Sequence, residues 1–317
     1  MILTVTPNPA LDLTWRVERL VPARTHRVPA GSARAGGKGI NVARVLHDEG
    51  YDVLALAPSR AEDPFALDLI HDGPPCHLTP AARSVRRSVA IVDTGSGAAT
   101  VLNETGESLQ EHEASALLAA AIRLGRDATV VAVCGSLPEG LSALSLGKLV
   151  EELTETGVPV IVDTSGPGLL AAARAGAFAL KPNHEELAAA TGLSDPLAGA
   201  RTLLDAGARI VVVSLGEDGL VVLSQGGDRI RARLPQPLHG NPTGAGDAVV
   251  AALAMTIAGN PDLDAAGADG QGARERLARR ATAWSASAVL APLAGSLHAD
   301  WSAIEATVII EREEESP

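Results

Sequence analysis

Two cysteines, Cys76 and Cys134, are all that the 317 residues contain. Neither a disulfide framework nor a structural zinc site can be built from them, because both require paired ligands at short spacing. Lysine is nearly as scarce: Lys38, Lys148 and Lys181 are the only ones, and arginine carries almost all the positive charge. Basic residues are not in excess either. A net charge of -12 at pH 7 removes the long-range attraction that nucleic acid or an anionic membrane would exert. No uninterrupted apolar stretch is long enough to span a bilayer, and no basic segment followed by an apolar one opens the chain. These absences lead to the expectation of a cytoplasmic protein with no nucleic-acid or membrane partner. No internal repeat is present.

What the chain does have is apolar material in short, regularly spaced blocks. With 46% hydrophobic and 20% charged residues it can bury a sizeable core as one large domain with a small appendage. Ile2 to Thr6 reads as a buried strand ended by Pro7 and Pro9. From Tyr51 onward, apolar strand-like runs alternate with helix-like ones: Asp52 to Ala57, Pro64 to Ile70, Leu109 to Leu124, Ala128 to Val133, Leu144 to Thr156, Val158 to Val162, Leu169 to Arg174, Ala177 to Leu180, Pro196 to Asp205 and Arg209 to Val213. Such alternation predicts an α/β chain with a mostly parallel central sheet. Val221 to Ser224 and Arg229 to Arg233 read as antiparallel, because the link Gln225-Gly226-Gly227-Asp228 is too short for a crossover helix. Two regions break the alternation. Thr14 to Val17 with His26 to Val28, rich in arginine, and the hairpin of Arg87 to Asp93 with Thr100 to Asn103 read as a half-exposed β flap. Ala273 to Val289 predicts a late helix, and Glu311 to Glu315 a frayed acidic tail.

Two glycine-led helix starts stand out. In Gly240-Asn241-Pro242-Thr243-Gly244-Ala245-Gly246-Asp247, proline and glycine stop the preceding element and an Ala/Val/Leu run follows as a buried helix. Unpaired amides at such a start, at the positive end of the helix dipole, form a ready phosphate site. Asp247 would repel phosphate there unless it had other work, such as accepting a proton; without a ligand the same turn would merely cap a core helix. In Ala35-Gly36-Gly37-Lys38-Gly39-Ile40-Asn41 the spacing of Ile40, Ala43 and Leu46 again predicts a helix, with Lys38 and Asn41 on its first turn. This is not a Walker A loop, since Ser32 stands where its first glycine should be and Gly39 where its Ser/Thr should be.

Polar clusters follow several apolar strands directly: Cys134-Gly135-Ser136, Asp163-Thr164-Ser165, Lys181-Pro182-Asn183 and Ser214-Leu215-Gly216. In an open parallel sheet those strand ends share the edge where ligands bind. The combination suits phosphoryl transfer, in which a protein positions two anionic partners and neutralises charge. Asp247 is the candidate proton acceptor. Asn183 and Glu186, three apart at a helix start, share a face and suit Mg2+ held through its waters; Glu186 is equally suited to capping that helix.

These stretches, in this order, resemble the ribokinase/PfkB-type carbohydrate kinases, and most closely the branch that phosphorylates sugar phosphates: 1-phosphofructokinase, tagatose-6-phosphate kinase and the minor 6-phosphofructokinase. The resemblance runs from Thr4 to about Gly295. Thr6-Pro7-Asn8-Pro9-Ala10-Leu11-Asp12 is similar to that branch's opening, Gly36 to Ala43 to the first family signature, and Thr243 to Asp247 to the second. The resemblance implies a ribokinase-like three-layer α/β/α fold of residues 1–317, with a small β lid from about 12–34 and 86–105. It implies an ATP-dependent kinase with Asp247 as base and the amides of Gly244, Ala245 and Gly246 as anion hole. Asp12, Gly36, Gly37, Lys38, Asn41, Arg87, Asn103 and Ser136 would hold the sugar phosphate, Arg87 and Lys38 near the phosphate it already carries. Lys181, Asn183, Ser214, Gly216, Gly219 and Thr243 would line the ATP side, with Asn183 and Glu186 on Mg2+. K+ is a further ion that the family admits, and a homodimer through the lid an assembly.

Fructose 1-phosphate, giving fructose 1,6-bisphosphate, is the first expected substrate, followed by tagatose 6-phosphate and fructose 6-phosphate. A kinase of an unphosphorylated sugar or nucleoside, and a sugar-phosphate-binding regulator without catalysis, are the other readings. A nicotinamide dehydrogenase is disfavoured, since Gly95-Ser96-Gly97-Ala98-Ala99-Thr100 lacks the last glycine of the dinucleotide fingerprint. Three departures bear on substrate choice: no Gly-Gly follows Ala57, Val89 stands where the family often has Asn, and Asn241-Pro242 precedes the glycine turn.

Overall fold

A computed structural model describes residues 1–227, 229–260, 263–265 and 267–313. The chain opens with β1 (Ile2–Val5), β2 (Ala10–Val17), β3 (Ser32–Gly36), α1 (Lys38–Asp48), β4 (Val53–Ser59), α2 (Pro64–Asp72), β5 (Cys76–Pro80), β6 (Arg86–Asp93) and β7 (Ala99–Asn103). It continues through α3 (Glu111–Gly125), β8 (Val130–Cys134), α4 (Ala143–Glu155), β9 (Val160–Asp163), α5 (Pro167–Arg174), β10 (Ala179–Leu180), α6 (His184–Thr191), α7 (Pro196–Ala206) and β11 (Ile210–Ser214). The remainder is β12 (Leu220–Ser224), β13 (Arg229–Arg233), α8 (Ala245–Gly259), α9 (Ala268–Leu290), α10 (Trp301–Thr307) and β14 (Ile309–Glu313).

The central strands are apolar at successive positions, so both of their faces need cover, which is the mark of a sheet between two helical layers. Ten strands form that sheet in the order β14-β13-β12-β11-β10-β9-β8-β1-β4-β5. Pairing is parallel from β5 through β11 and antiparallel from β11 to β14. Because side chains alternate along a strand, Val130, Ala132 and Cys134 of β8 enter one core with α1, α8 and α9, while Val131 and Val133 enter another with α3, α4, α5 and α7. The result is three layers, as the alternation of elements predicts. No helix among the described residues is long and apolar enough to cross a membrane.

A second sheet of four strands, in the order β3-β2-β6-β7, is built from the two regions that break the alternation. Its β2–β6 pair is parallel and its outer pairs are antiparallel. The flap strand expected at His26 to Val28 is absent: that segment carries no strand, and the partner of β2 is Ser32–Gly36 instead. Pro22 and Pro29 remove ladder donors from the stretch between, and its charged side chains are mostly exposed. The acidic tail is also corrected. Ile309–Glu313 is a strand paired with β13, and Arg233 donates to Glu311 through Nε at 2.9 Å and Nη2 at 2.7 Å. Glu314 and Glu315 lie outside the described residues, as does Asp228 of the expected turn.

The C-terminal ends of β1, β8, β9, β10 and β11 lie along one edge of the large sheet. The four polar clusters that follow β8, β9, β10 and β11 therefore converge there.

Candidate active site

The turn into α8 is assembled by short-range bonds. Asn241 Oδ1 accepts from the Thr243 amide at 3.1 Å, and the Ala245 amide donates to the Pro242 carbonyl at 3.2 Å. Asn241-Pro242 thus shapes an Asx-type turn that delivers the chain to Gly244, whose φ of 89° is left-handed and suits glycine. Close approach explains the next glycine: a Cβ on Gly246 would come 3.1 Å from Lys181 Nζ. First-turn amides have no intrahelical acceptor, so an ammonium and a helix start face the same space. Asp247 is the only acidic residue of that turn and is 6% exposed.

Asn41, one turn into α1, donates to Asp247 Oδ2 at 2.8 Å. Burial pushes the Asp247 carboxyl up from 3.8 to about 6, opposed chiefly by Lys38, with Asp163 adding to the rise and the Asn41 bond and Lys181 resisting it. The group is thus a stronger base than an ordinary carboxylate and still ionises near neutrality.

Lys38, the first residue of α1, donates to Asp163 Oδ1 at 3.0 Å and to Glu186 Oε1 at 3.3 Å. Burial works against its charge, but Asp163, Glu186 and Asp247 together hold its pKa above the usual lysine range. Lys181 Nζ lies 3.7 Å from the same Asp163 oxygen. Asp163 is fully buried at the end of β9, and its Oδ2 has no hydrogen-bond partner. One carboxylate therefore faces two ammonium groups beside the anion turn. The sequence shows Asp163 only as a polar residue ending an apolar strand, and its pairing emerges from Lys38 at the start of α1 and Lys181 just after β10.

On the other side of Asp247 lies Asp12, on β2. Gly36 is required there because a Cβ would run into the Asp12 carboxylate. Gly37, with φ 100°, starts α1 against Thr6 and Pro9. Burial pushes Asp12 up to about 7, Asp247 adds to that rise, and Arg86, Arg34 and Arg44 oppose it. Ser136, after β8, accepts from Asn8 Nδ2 at 3.0 Å.

The expected place of Arg87 is corrected by strand register. Asp12 pairs with Ser88 and Ala10 with Arg86, so Arg86 and Ser88 share the face of Asp12, while Arg87 is exposed on the opposite face. Arg86 donates to the Asn8 carbonyl at 3.4 Å and to the Glu104 carbonyl at 3.1 Å. Asn103 pairs with Ser88 and joins the Asp12 face. Val89 points away with Arg87, so its lack of a polar group leaves the Asp12 face intact and Ser88 supplies a hydroxyl there.

Lys38, expected near the phosphate a sugar already carries, turns its ammonium to Asp163 and Glu186.

Asn183, Ser214, Gly216 and Gly219 line a cleft of about 990 Å³ together with Gly246 at the α8 start, His239 and Val289. Thr243 and Lys181 are not among its lining residues; Thr243 lies in the turn already described. Gly219 is required because a Cβ would run into the Ala232 carbonyl. Asn183 caps α6 by accepting from the Glu186 amide at 2.7 Å, and Glu186 Oε2 accepts from the Asn183 amide at 3.0 Å. Glu186 thus caps α6 through Oε2, while its Oε1 accepts from the Lys38 ammonium. No group of three or more metal-ligating side chains occurs among the described residues. The orphaned Asp163 Oδ2 and the Glu186 carboxylate nevertheless fit Mg2+, which takes one or two carboxylates and otherwise keeps waters and substrate phosphates.

Residues 8–294 match the family described as pfkB family carbohydrate kinase. The chain is 35% identical over 266 residues to a 1-phosphofructokinase of Xanthomonas campestris pv. campestris, covering 80% of this chain and 83% of that protein. It is 33% identical over 264 residues to the ATP-dependent 6-phosphofructokinase isozyme 2 of Mycobacterium tuberculosis, covering 81% and 77%. Solved structures of Escherichia coli phosphofructokinase-2 superpose over 96% of this chain and 98% of theirs. The complex with fructose-6-phosphate has a TM-score of 0.82 at 28% identity, the potassium complex 0.84 at 27%, and a tetrameric inhibited form 0.83 at 28%.

Proposed function

Because the chain belongs to the pfkB family of carbohydrate kinases, we propose that it transfers the γ-phosphoryl group of ATP to a hydroxyl of a phosphorylated ketohexose, with fructose 1-phosphate as first substrate and fructose 1,6-bisphosphate as product. The observation that supports this best is the position of Asp247, fixed by Asn41 at 2.8 Å between a sugar-side face and a nucleotide-side cleft. Asp12, held against Gly36, orients the sugar hydroxyls. Arg86, with Ser88, Asn103 and Ser136 beside it, takes the phosphate already present. Asp247 accepts the proton of the attacking hydroxyl, while the first-turn amides of α8, Lys181 and Lys38 hold the negative charge that moves between the partners. Asn183, Ser214, Gly216, Gly219 and Thr243 border the nucleotide.

Glu186 and Asp163 would hold Mg2+, which when bound neutralises phosphate charge and orients the polyphosphate. The second sheet serves as a lid over the sugar side, excluding water from the transfer. The potassium complex and the tetrameric form of the E. coli protein support testing K+ as a further ion, and assembly through the second sheet.

Tagatose 6-phosphate and fructose 6-phosphate are the competing acceptors, the latter supported by the name of the M. tuberculosis relative. Coupled ADP release measured across fructose 1-phosphate, fructose 6-phosphate, tagatose 6-phosphate, fructose and ribose tests the assignment. The highest kcat/KM is expected on fructose 1-phosphate. Comparable turnover of free fructose or ribose overturns the anionic-substrate reading, and ADP release with none of the five favours a non-catalytic sugar-phosphate-binding regulator.

A further inference from the structure

Arg34 lies on β3 directly across from Asp12 in the β2–β3 pairing. Its guanidinium reaches beyond that sheet. Nη1 donates to the Ala294 carbonyl at 3.1 Å and to the Ser296 hydroxyl at 3.1 Å. Arg16, on β2, donates to the neighbouring Pro292 carbonyl at 3.1 Å, in a more exposed position. Two arginines of the second sheet therefore grip one connection, the segment between α9 and α10.

That connection touches the parts that set the carboxylate. Gly295 backs onto Asn41: a Cβ there would lie 3.0 Å from Asn41 Oδ1 and 3.1 Å from its Cα. A Cβ on Gly244 would lie 3.1 Å from the Gly295 nitrogen and 3.2 Å from the Ala294 Cα. The same short segment thus abuts both the residue that hydrogen-bonds Asp247 and the first residue of the amide turn. Both are close approaches into which a Cβ would not fit unless a neighbour gave way.

We infer that Arg34 is a positioning residue for phosphoryl transfer: it fixes the 292–296 segment, and through it the orientation of Asn41 and of the turn at Gly244. A planar guanidinium keeps its charge and offers several N-H groups in a fixed fork, so it can hold a carbonyl and a hydroxyl at once. Burial works against that charge and lowers the Arg34 pKa, while Asp48, Asp68 and Asp12 oppose the shift. Glutamine lacks the charge and the reach, whereas lysine keeps the charge and can satisfy one acceptor. The catalytic consequence rests on the reading of Asp247 as base; the mechanical coupling does not.

Two measurements on the full-length chain separate these. Amide hydrogen exchange of the ligand-free protein reads the coupling: Arg34→Gln is expected to speed exchange both in peptides covering 289–297 and in those covering 241–247. Steady-state kinetics on the best phosphorylated ketohexose reads the catalytic consequence: Arg34→Gln is expected to lower kcat by about tenfold to hundredfold while the sugar KM stays within about twofold. Arg34→Lys should restore part of kcat, and Ser296→Ala should add less than its own effect when combined with Arg34→Gln. Ser296→Ala alone, which keeps the guanidinium, carries both measurements if Arg34→Gln does not fold. Unchanged exchange at 241–247 overturns the coupling, and a raised KM with unchanged kcat reassigns Arg34 to direct binding of the sugar phosphate. A wild-type chain that turns over no ketohexose phosphate overturns the proposed function, and the exchange result then still decides the coupling.

Discussion

Asp247, the proposed base, carries its charge against the preference of its surroundings. Burial raises its carboxyl from 3.8 to about 6 and that of Asp12 to about 7, so the folded chain holds both protons longer than the unfolded chain does. The stability these two groups contribute is fully present below the unfolded value near 4 and is lost as pH rises through about 6 and about 7. Activity runs the other way, because an acceptor of protons must be ionised. Wild-type kcat/KM is therefore expected to fall as pH drops through about 6. Asp247→Asn keeps the shape and the Asn41 contact, so kcat should fall by about 10²- to 10⁴-fold, while stability at about pH 8 rises by about 1–3 kcal/mol. Paired urea melts and kinetics check this, and a variant both active and no more stable would contradict it. The places of Asp247, Lys38 and Asn41 at helix starts were legible in the sequence because glycine turns mark them locally. Arg86 was not, since only the pairing of Asp12 with Ser88 distinguishes it from Arg87.

Elements follow their local signals where those signals are strong. The helices after Gly37 and Gly244 start where their glycines predict, and the long apolar strands of the sheet centre are where their hydrophobic runs lie. The elements that escaped are of a different kind. β5, Cys76-His77-Leu78-Thr79-Pro80, is an edge strand paired with β4 alone, and its mixed composition carries no clear period. β14 pairs its Glu311 with Arg233 and its Arg312 with Glu275, which no local pattern shows. Glycine positions are legible as turns, but not as sites of close approach. Gly36→Ala tests this distinction: its Cβ would displace the Asp12 carboxylate at an otherwise ordinary extended position. The sugar KM should rise by about tenfold or more, with the thermal midpoint changed by less than about 3 °C. Kinetics and a melt on the same preparation suffice, and an unchanged KM would separate Asp12 from the sugar.

At the scale of the whole molecule, an acidic chain of net charge -12 concentrates two of its three lysines, Lys38 and Lys181, at one sheet edge. The architecture also depends on its last strand. Removing residues 309–317 would bare the β13 edge and the core side chains Ile230 and Ala232, and remove the Arg233–Glu311 fork. The thermal midpoint is expected to fall by on the order of 10 °C, with aggregation visible by light scattering; a truncated chain that melts like the full one would show the strand to be dispensable. Hydrophobic blocks and glycine turns determine, from the sequence alone, a sheet covered on both faces and two anion-friendly helix starts, since periodicity and turn chemistry act over a few residues. Tertiary structure alone decides that Asn41 meets Asp247 across 206 positions, that Asp163 faces both lysines, and that Arg86 rather than Arg87 faces Asp12. Those outcomes depend on strand order and register, which are set by packing and ladder hydrogen bonds between distant segments and leave no local trace.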